Sequence, residues 1–148
     1  MPRTTLTRRL GPSAAHRHRR PDWSDAENCE LFGACAHPDF HALSYVCNVT
    51  VAAPTDAETR FIVDLGFLDQ MLHREVRDRF DHCNINMDAA EFADGKLIPT
   101  GENRARFIAE RMQAALARTT ARVVRVVRVV RAQVAEDANL SSTYEIDA

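Results

Sequence analysis

Short β-branched runs in this chain alternate with two longer segments whose apolar residues return at helical spacing. Tyr45 to Ala53 reads Tyr-Val-Cys-Asn-Val-Thr-Val-Ala-Ala and predicts a strand, which Pro54-Thr55-Asp56 ends. Leu65, Leu68, Leu72, Val76 and Phe80 share one helical face and predict a helix over Leu65 to Arg79, with Asp64 as its N-cap. Pro99-Thr100-Gly101-Glu102-Asn103 opens a second helix, capped by Thr100, that runs through Phe107, Ile108, Met112, Ala115 and Leu116. Both helices are amphipathic, so each covers one face of another element.

The flanking segments are less periodic. Leu6 and Leu10 lie four apart, a spacing that suits a strand or a helix, and Thr4, Thr5 and Thr7 lean towards a strand. Residues 1–11 are also expected to be flexible. If Ser13 to His18 is extended, His16 and His18 point to one side. Ser24 or Asp25 caps a short helical turn from Ala26 to Leu31, which Gly33 breaks. Arg122 to Arg131 repeats Arg-Val-Val. Valine favours extended backbone, so a strand over Ala121 to Ala135 is predicted, with arginines on both faces as interface or surface charge. A last strand runs from Ser142 to Ile146. Two helices on one face of an antiparallel four-stranded sheet make an α+β fold, and 1–148 reads as a single domain.

Charge and composition narrow the partners. The net charge of −2 gives no electrostatic case for nucleic acid or membrane binding, and no apolar run is long enough to span a bilayer. Lys96 is the only lysine. The four cysteines, Cys29, Cys35, Cys47 and Cys83, form no CxxC pair and follow no signal segment, so free thiols in a reducing cytoplasm are expected. The expected partner is a small-molecule substrate.

Candidate chemistry concentrates in Cys35-Ala36-His37-Pro38-Asp39-Phe40-His41, where a thiol, two imidazoles and a carboxylate fall within seven residues. Taken alone, the cluster suggests a catalytic or metal site. Motifs elsewhere add to it. Ser13-Ala14-Ala15-His16, Glu27-Asn28-Cys29-Glu30-Leu31-Phe32-Gly33-Ala34-Cys35, Val63-Asp64-Leu65, Asp81-His82 with Ile85-Asn86, and Pro99-Thr100-Gly101-Glu102-Asn103 occur in this order. Together they resemble the 6-pyruvoyltetrahydropterin synthase and 6-carboxytetrahydropterin synthase family over Pro12 to Tyr144. The resemblance implies the tunnelling fold, in which subunits pair their sheets into a barrel. It also implies a homo-oligomer, trimeric or hexameric, with active sites between subunits. By position it assigns catalysis to Cys35, Asp81 and His82, and zinc ligation to His16 and His41. Substrate contacts would fall to Glu136, Thr100 and Glu102, with Glu136 anchoring the pterin ring.

The chain departs from the family where "GHGHnY" is replaced by Phe40-His41-Ala42-Leu43-Ser44-Tyr45. His41 keeps one zinc-ligand position and Leu43 occupies the other. Three histidines plus an open position are the usual catalytic zinc shell, and a leucine cannot ligate. His18, His37 and Asp39 lie near enough in sequence to substitute, although His18 and His37 are expected to be solvated loop histidines. In the family, zinc polarises the substrate's side-chain hydroxyls, the cysteine moves protons from adjacent carbons, and the Asp-His pair relays a second proton. A drier pocket around Phe40 and Leu43 is expected to raise the pKa of Cys35 and lower that of His82. The first reading is therefore a lyase on a pterin-type substrate. A second is a repurposed enzyme doing metal-independent acid–base cyclisation or lyase chemistry on a non-pterin substrate. A third is a non-catalytic paralogue.

Overall fold

The computed structural model describes residues 3–11, 13–37, 40–120 and 127–147. The strand predicted from Tyr45 forms β4, Val46–Ala52, and it is the centre of the molecule. It pairs antiparallel on one side with β1, Thr5–Leu10, and on the other with β6, Arg128–Ala135. β7, Ser141–Glu145, closes a four-stranded antiparallel sheet of order β1-β4-β6-β7. Residues 5–10 thus run in register along β4, from Thr5 opposite Ala52 to Leu10 opposite Cys47.

Side-chain alternation on β4 sends Cys47, Val49 and Val51 inward, each with no exposed surface. Val129, Ala132 and Val134 of β6 join them. Arg131 is exposed, as an arginine of the Arg-Val-Val run should be, while Arg122 and Arg125 lie outside the described residues.

The long helix α5, Gly101–Thr120, covers this sheet face with Ala105, Ile108, Ala109, Met112 and Leu116, all fully buried. Thr100 caps it by accepting from the Asn103 backbone N–H at 3.2 Å. The helix predicted from Leu65 begins there, with Asp64 accepting from the Phe67 N–H. It is regular only over α2, Leu65–Leu72, then widens through a π-turn, His73–Arg77, into α3, Asp78–Phe80. Leu68, Leu72, Val76 and Phe80 are fully buried as the periodicity requires, whereas Leu65 at the first turn stays 46% exposed. The π-turn carries buried Glu75, whose carboxylate meets Arg111 of α5 at 2.9 Å.

A second, three-stranded sheet was not predicted. Its order is β3-β2-β5, with β2 Ser13–His16, β3 His41–Ser44 and β5 Cys83–Asn84. β2 pairs antiparallel with β3 and parallel with β5. This small sheet brings the opening histidine motif, the cluster after Cys35 and the Asp81-His82 segment to one end of the fold. No described helix is long and apolar enough to cross a membrane.

Candidate functional site

Cys35 is presented by a helix that stops abruptly. Ser24 and Glu27 form a reciprocal capping box at the start of α1, Asp25–Phe32. Asn28, 1% exposed, accepts from the Arg20 N–H and donates to the carbonyls of Arg20 and Ser24, which latches the preceding loop to the helix. Gly33 ends α1 at φ +57°, a left-handed conformation that favours glycine. The chain then turns through a 3-10 segment, Gly33–Ala36, which carries Cys35.

Opposite this turn stands the β2–β3 pair. His16 is the register partner of His41, and Ala14 is the partner of Leu43. Beyond the end of β2, His18 keeps the side of His16, and their rings stack with centroids 4.6 Å apart. The edge of Phe32 meets the His18 ring at 5.9 Å. The His18 backbone N–H donates to the Cys35 carbonyl at 2.7 Å, and ring Nε2 lies 3.0 Å from the Pro99 carbonyl. His18 is therefore half-buried, which corrects its expected place as a solvated loop histidine; burial comes from Phe32 and Pro99, both distant in sequence. His37 is exposed, and Asp39 lies outside the described residues.

The result is a compact donor set. One ligand atom each from His16, His18 and Cys35 lies within 4.8 Å of the others. Imidazoles and a thiolate suit a zinc-type divalent ion, which holds tetrahedral ligands about 3.5 Å from one another, so a shift of about an ångström would close them on one ion. Asn86 steadies the segment between the histidines: its Oδ1 accepts from the Arg17 N–H at 2.6 Å, and its Nδ2 donates to the Arg17 carbonyl at 2.9 Å.

Sequence reasoning missed the charge pair beside this cluster. Arg104 has no exposed surface, yet it sits in the apolar stripe of α5. Its Nη2 donates to Glu136 Oε1 at 2.5 Å, and its guanidinium lies 4.7 Å from the centroid of the buried Tyr45 ring. Both charges are felt nearby. Burial raises the Cys35 thiol pKa above its ordinary value, Glu136 raises it further, and Arg104 opposes them. Burial also lowers the His18 pKa, against the pull of the Pro99 carbonyl. Thr100 caps α5 beside this group, and exposed Glu102 follows in the first turn, close enough for its charge to act on His18.

Asp81 and His82 do not join the donor set of this single chain. They pair with each other, His82 Nδ1 to Asp81 Oδ1 at 3.1 Å. His82 holds a positive φ of 56°, and its side chain is 85% exposed. The structure thus brings Cys35, His16 and His18 together near Glu136, while the His82 ring, paired with Asp81, points outward.

Comparison with known proteins agrees with this architecture. The family model described as 6-pyruvoyl tetrahydropterin synthase matches residues 5–146. The 6-pyruvoyl tetrahydrobiopterin synthase of Homo sapiens is 35% identical over 111 residues, covering 75% of this chain and 75% of that protein. The Drosophila melanogaster protein of the same name is 34% identical over 113 residues, covering 76% and 66%. The structure of Caenorhabditis elegans 6-pyruvoyl tetrahydropterin synthase superposes with a TM-score of 0.85 at 28% identity, covering 99% of this chain and 98% of that one. On the strength of its fold, its motif order and these matches, the chain belongs to the 6-pyruvoyl tetrahydropterin synthase family.

Proposed function

We propose that this chain is a lyase of the 6-pyruvoyltetrahydropterin synthase type that acts on a reduced pterin triphosphate. The observation that carries this reading is the convergence of Cys35 with two histidines beside Glu136, in a chain matched by the family model over residues 5–146. Glu136 anchors the ring: a carboxylate accepts two parallel hydrogen bonds from an N–C–N edge. Thr100 fixes the start of α5 next to that anchor, and Glu102 adds negative charge at its rim.

Cys35, Asp81 and His82 move protons. Cys35 takes one from a side-chain carbon of the substrate, and the Asp81–His82 pair carries another. Asp81 orients the imidazole through Nδ1, which leaves Nε2 of the exposed ring to meet substrate. A homo-oligomer, trimer or hexamer, with its sites between subunits lets this pair serve the Cys35 of a neighbouring copy. The two outer strands favour such assembly: β1 and β7 each have one described neighbour, and unpaired edges invite pairing with another copy.

His16 and His41, register partners on β2 and β3, are the residues expected to hold zinc, and the donor set around His16 fits such an ion. Bound there, zinc would supply Lewis-acid polarisation of the substrate's hydroxyls. The test is incubation of purified protein with 7,8-dihydroneopterin triphosphate while released triphosphate is measured. Release that Cys35→Ala abolishes supports the reading. A wild-type protein that releases none refutes it.

A further inference from the structure

Arg111 of α5 reaches across to the turn where the helix from Leu65 widens. Its Nε donates to the Glu75 backbone carbonyl at 3.1 Å and lies 2.9 Å from Glu75 Oε2. Arg74 Nε donates to the other carboxylate oxygen at 3.0 Å. Glu75, 5% exposed, is thus a buried carboxylate spanned by two arginines. None of the three has a place in the proton transfers.

The turn they clamp has a geometric task. Leu68, Leu72, Val76 and Phe80 step by four residues, and each step overshoots an α-helical turn by about 40°. A straight helix would carry Phe80 round towards solvent. Between His73 and Arg77 the turn is wider, and the Asp78 N–H donates to the His73 carbonyl, five residues back. The wider turn takes up the drift, and Phe80 stays fully buried. Asp81 follows directly. Its N–H donates to the Arg77 carbonyl at 2.7 Å, and its backbone leaves the helix at φ −70° and ψ 129°. Two residues on, Cys83 pairs with Ala14 of β2. Asp81 and His82 are therefore strung between two fixed points, the widened helix and the small sheet. His82 holds its positive φ of 56° inside that frame, a conformation that persists where the surroundings impose it.

We infer that Arg111 and Glu75 are positioning residues for the Asp81–His82 pair: their clamp holds the widened turn, and the widened turn fixes where the pair stands. This inference rests on the lyase reading for the pair's role in proton transfer, while the frame itself comes from the geometry. A π-turn is a rare conformation and needs support from outside its own helix. Without Arg111, relaxation to a regular helix rotates Phe80 and Asp81 together and carries the imidazole off the substrate.

The test compares Arg111→Met with Val51→Ala, a core truncation at the other end of β4 from Tyr45, in the full chain. Steady-state triphosphate release from 7,8-dihydroneopterin triphosphate is measured beside backbone hydrogen exchange. In Arg111→Met, kcat should fall about 10- to 100-fold while KM stays within about twofold, the pattern of a misplaced group. Exchange across residues 78–84 should quicken about tenfold while β4 stays protected. Val51→Ala, which loosens the core elsewhere, should change neither kcat nor exchange in that segment. Arg111→Lys, which keeps the charge, should recover part of kcat. Placed on Asp81→Asn, Arg111→Met should lower the rate no further, because the clamp acts through a residue already disabled. If Arg111→Met does not fold, the double variant Arg111→Met with Glu75→Leu strands no buried charge and carries the comparison. Unchanged kcat in the folded variant overturns the inference, as does a full additional loss on Asp81→Asn or unchanged exchange across 78–84. A wild-type protein that releases no triphosphate refutes the lyase reading instead, and the exchange result then judges the clamp by itself.

Discussion

Arg104 and Glu136 form an ion pair whose two ends live in different surroundings: the arginine side chain is 1% exposed and the glutamate 21%. Removing one partner therefore does not cost the same as removing the other. Glu136→Ala strands a guanidinium where water cannot reach it and should cost about 3–5 kcal/mol, the range for an uncompensated buried charge. Arg104→Met fills the same space with apolar atoms and leaves a carboxylate that water still reaches, so it should cost no more than about 2 kcal/mol. Urea unfolding of the two variants measures the difference. In turnover, Arg104→Met should raise KM more than it lowers kcat, because the pair positions the ring anchor rather than the reacting carbons.

Burial sets the acidity of Cys35 first, and the same two charges adjust it. Burial and Glu136 raise its pKa, and Arg104 lowers it. In chelator, alkylation of Cys35 followed by peptide mapping should therefore rise with pH later than that of an ordinary thiol. Glu136→Gln removes a negative charge and keeps an acceptor, so its profile should move to lower pH. Arg104→Met removes a positive charge and should move the profile to higher pH. A Glu136→Gln profile that stays in place would show that burial alone governs the thiol.

Asn86 bonds both backbone groups of Arg17, between the two histidines. Asn86→Ala should lose about 2 kcal/mol of stability, because the Arg17 N–H is left without its acceptor in a part-buried site. Activity should fall beyond what the folded fraction explains, since His16 and His18 lose their shared brace. Circular dichroism melts read beside single-turnover rates separate the two effects.

Three phenylalanines brace the lower core: Phe92 and Phe107 meet edge-to-face at 5.2 Å, and Phe80 meets Phe107 at 5.8 Å. Phe92, with no exposed surface, should cost about 3–5 kcal/mol when truncated to alanine. Phe92→Leu, which keeps much of the volume, should cost clearly less in the same denaturation assay.

Strong local patterns carried the parts of the fold that were legible in sequence. β4 was readable from its valines, and α2 and α5 from helical spacing and from the caps Asp64 and Thr100. The small sheet was not readable: β3 is only four residues, His-Ala-Leu-Ser, and β5 only two, so pairing across long stretches of chain creates them rather than local propensity. The strand spacing placed His18 beside His16, but its burial depends on Phe32 and Pro99, which no local pattern announces. Arg104 left one clue, a charge in the apolar stripe of α5, and its partner is the residue that follows β6, distant in sequence. The motif asparagines now have physical roles, since Asn28, Asn86 and Asn103 each tie a loop carbonyl to the element that follows or faces it.

The lyase reading is tested most directly by triphosphate release from 7,8-dihydroneopterin triphosphate by the purified protein, measured beside its Cys35→Ala variant. Steady release by the wild type and a loss of about 100-fold or more in the variant are predicted, the scale of a general acid–base group. Absence of release from a folded wild-type protein, or equal release from both, would contradict the account.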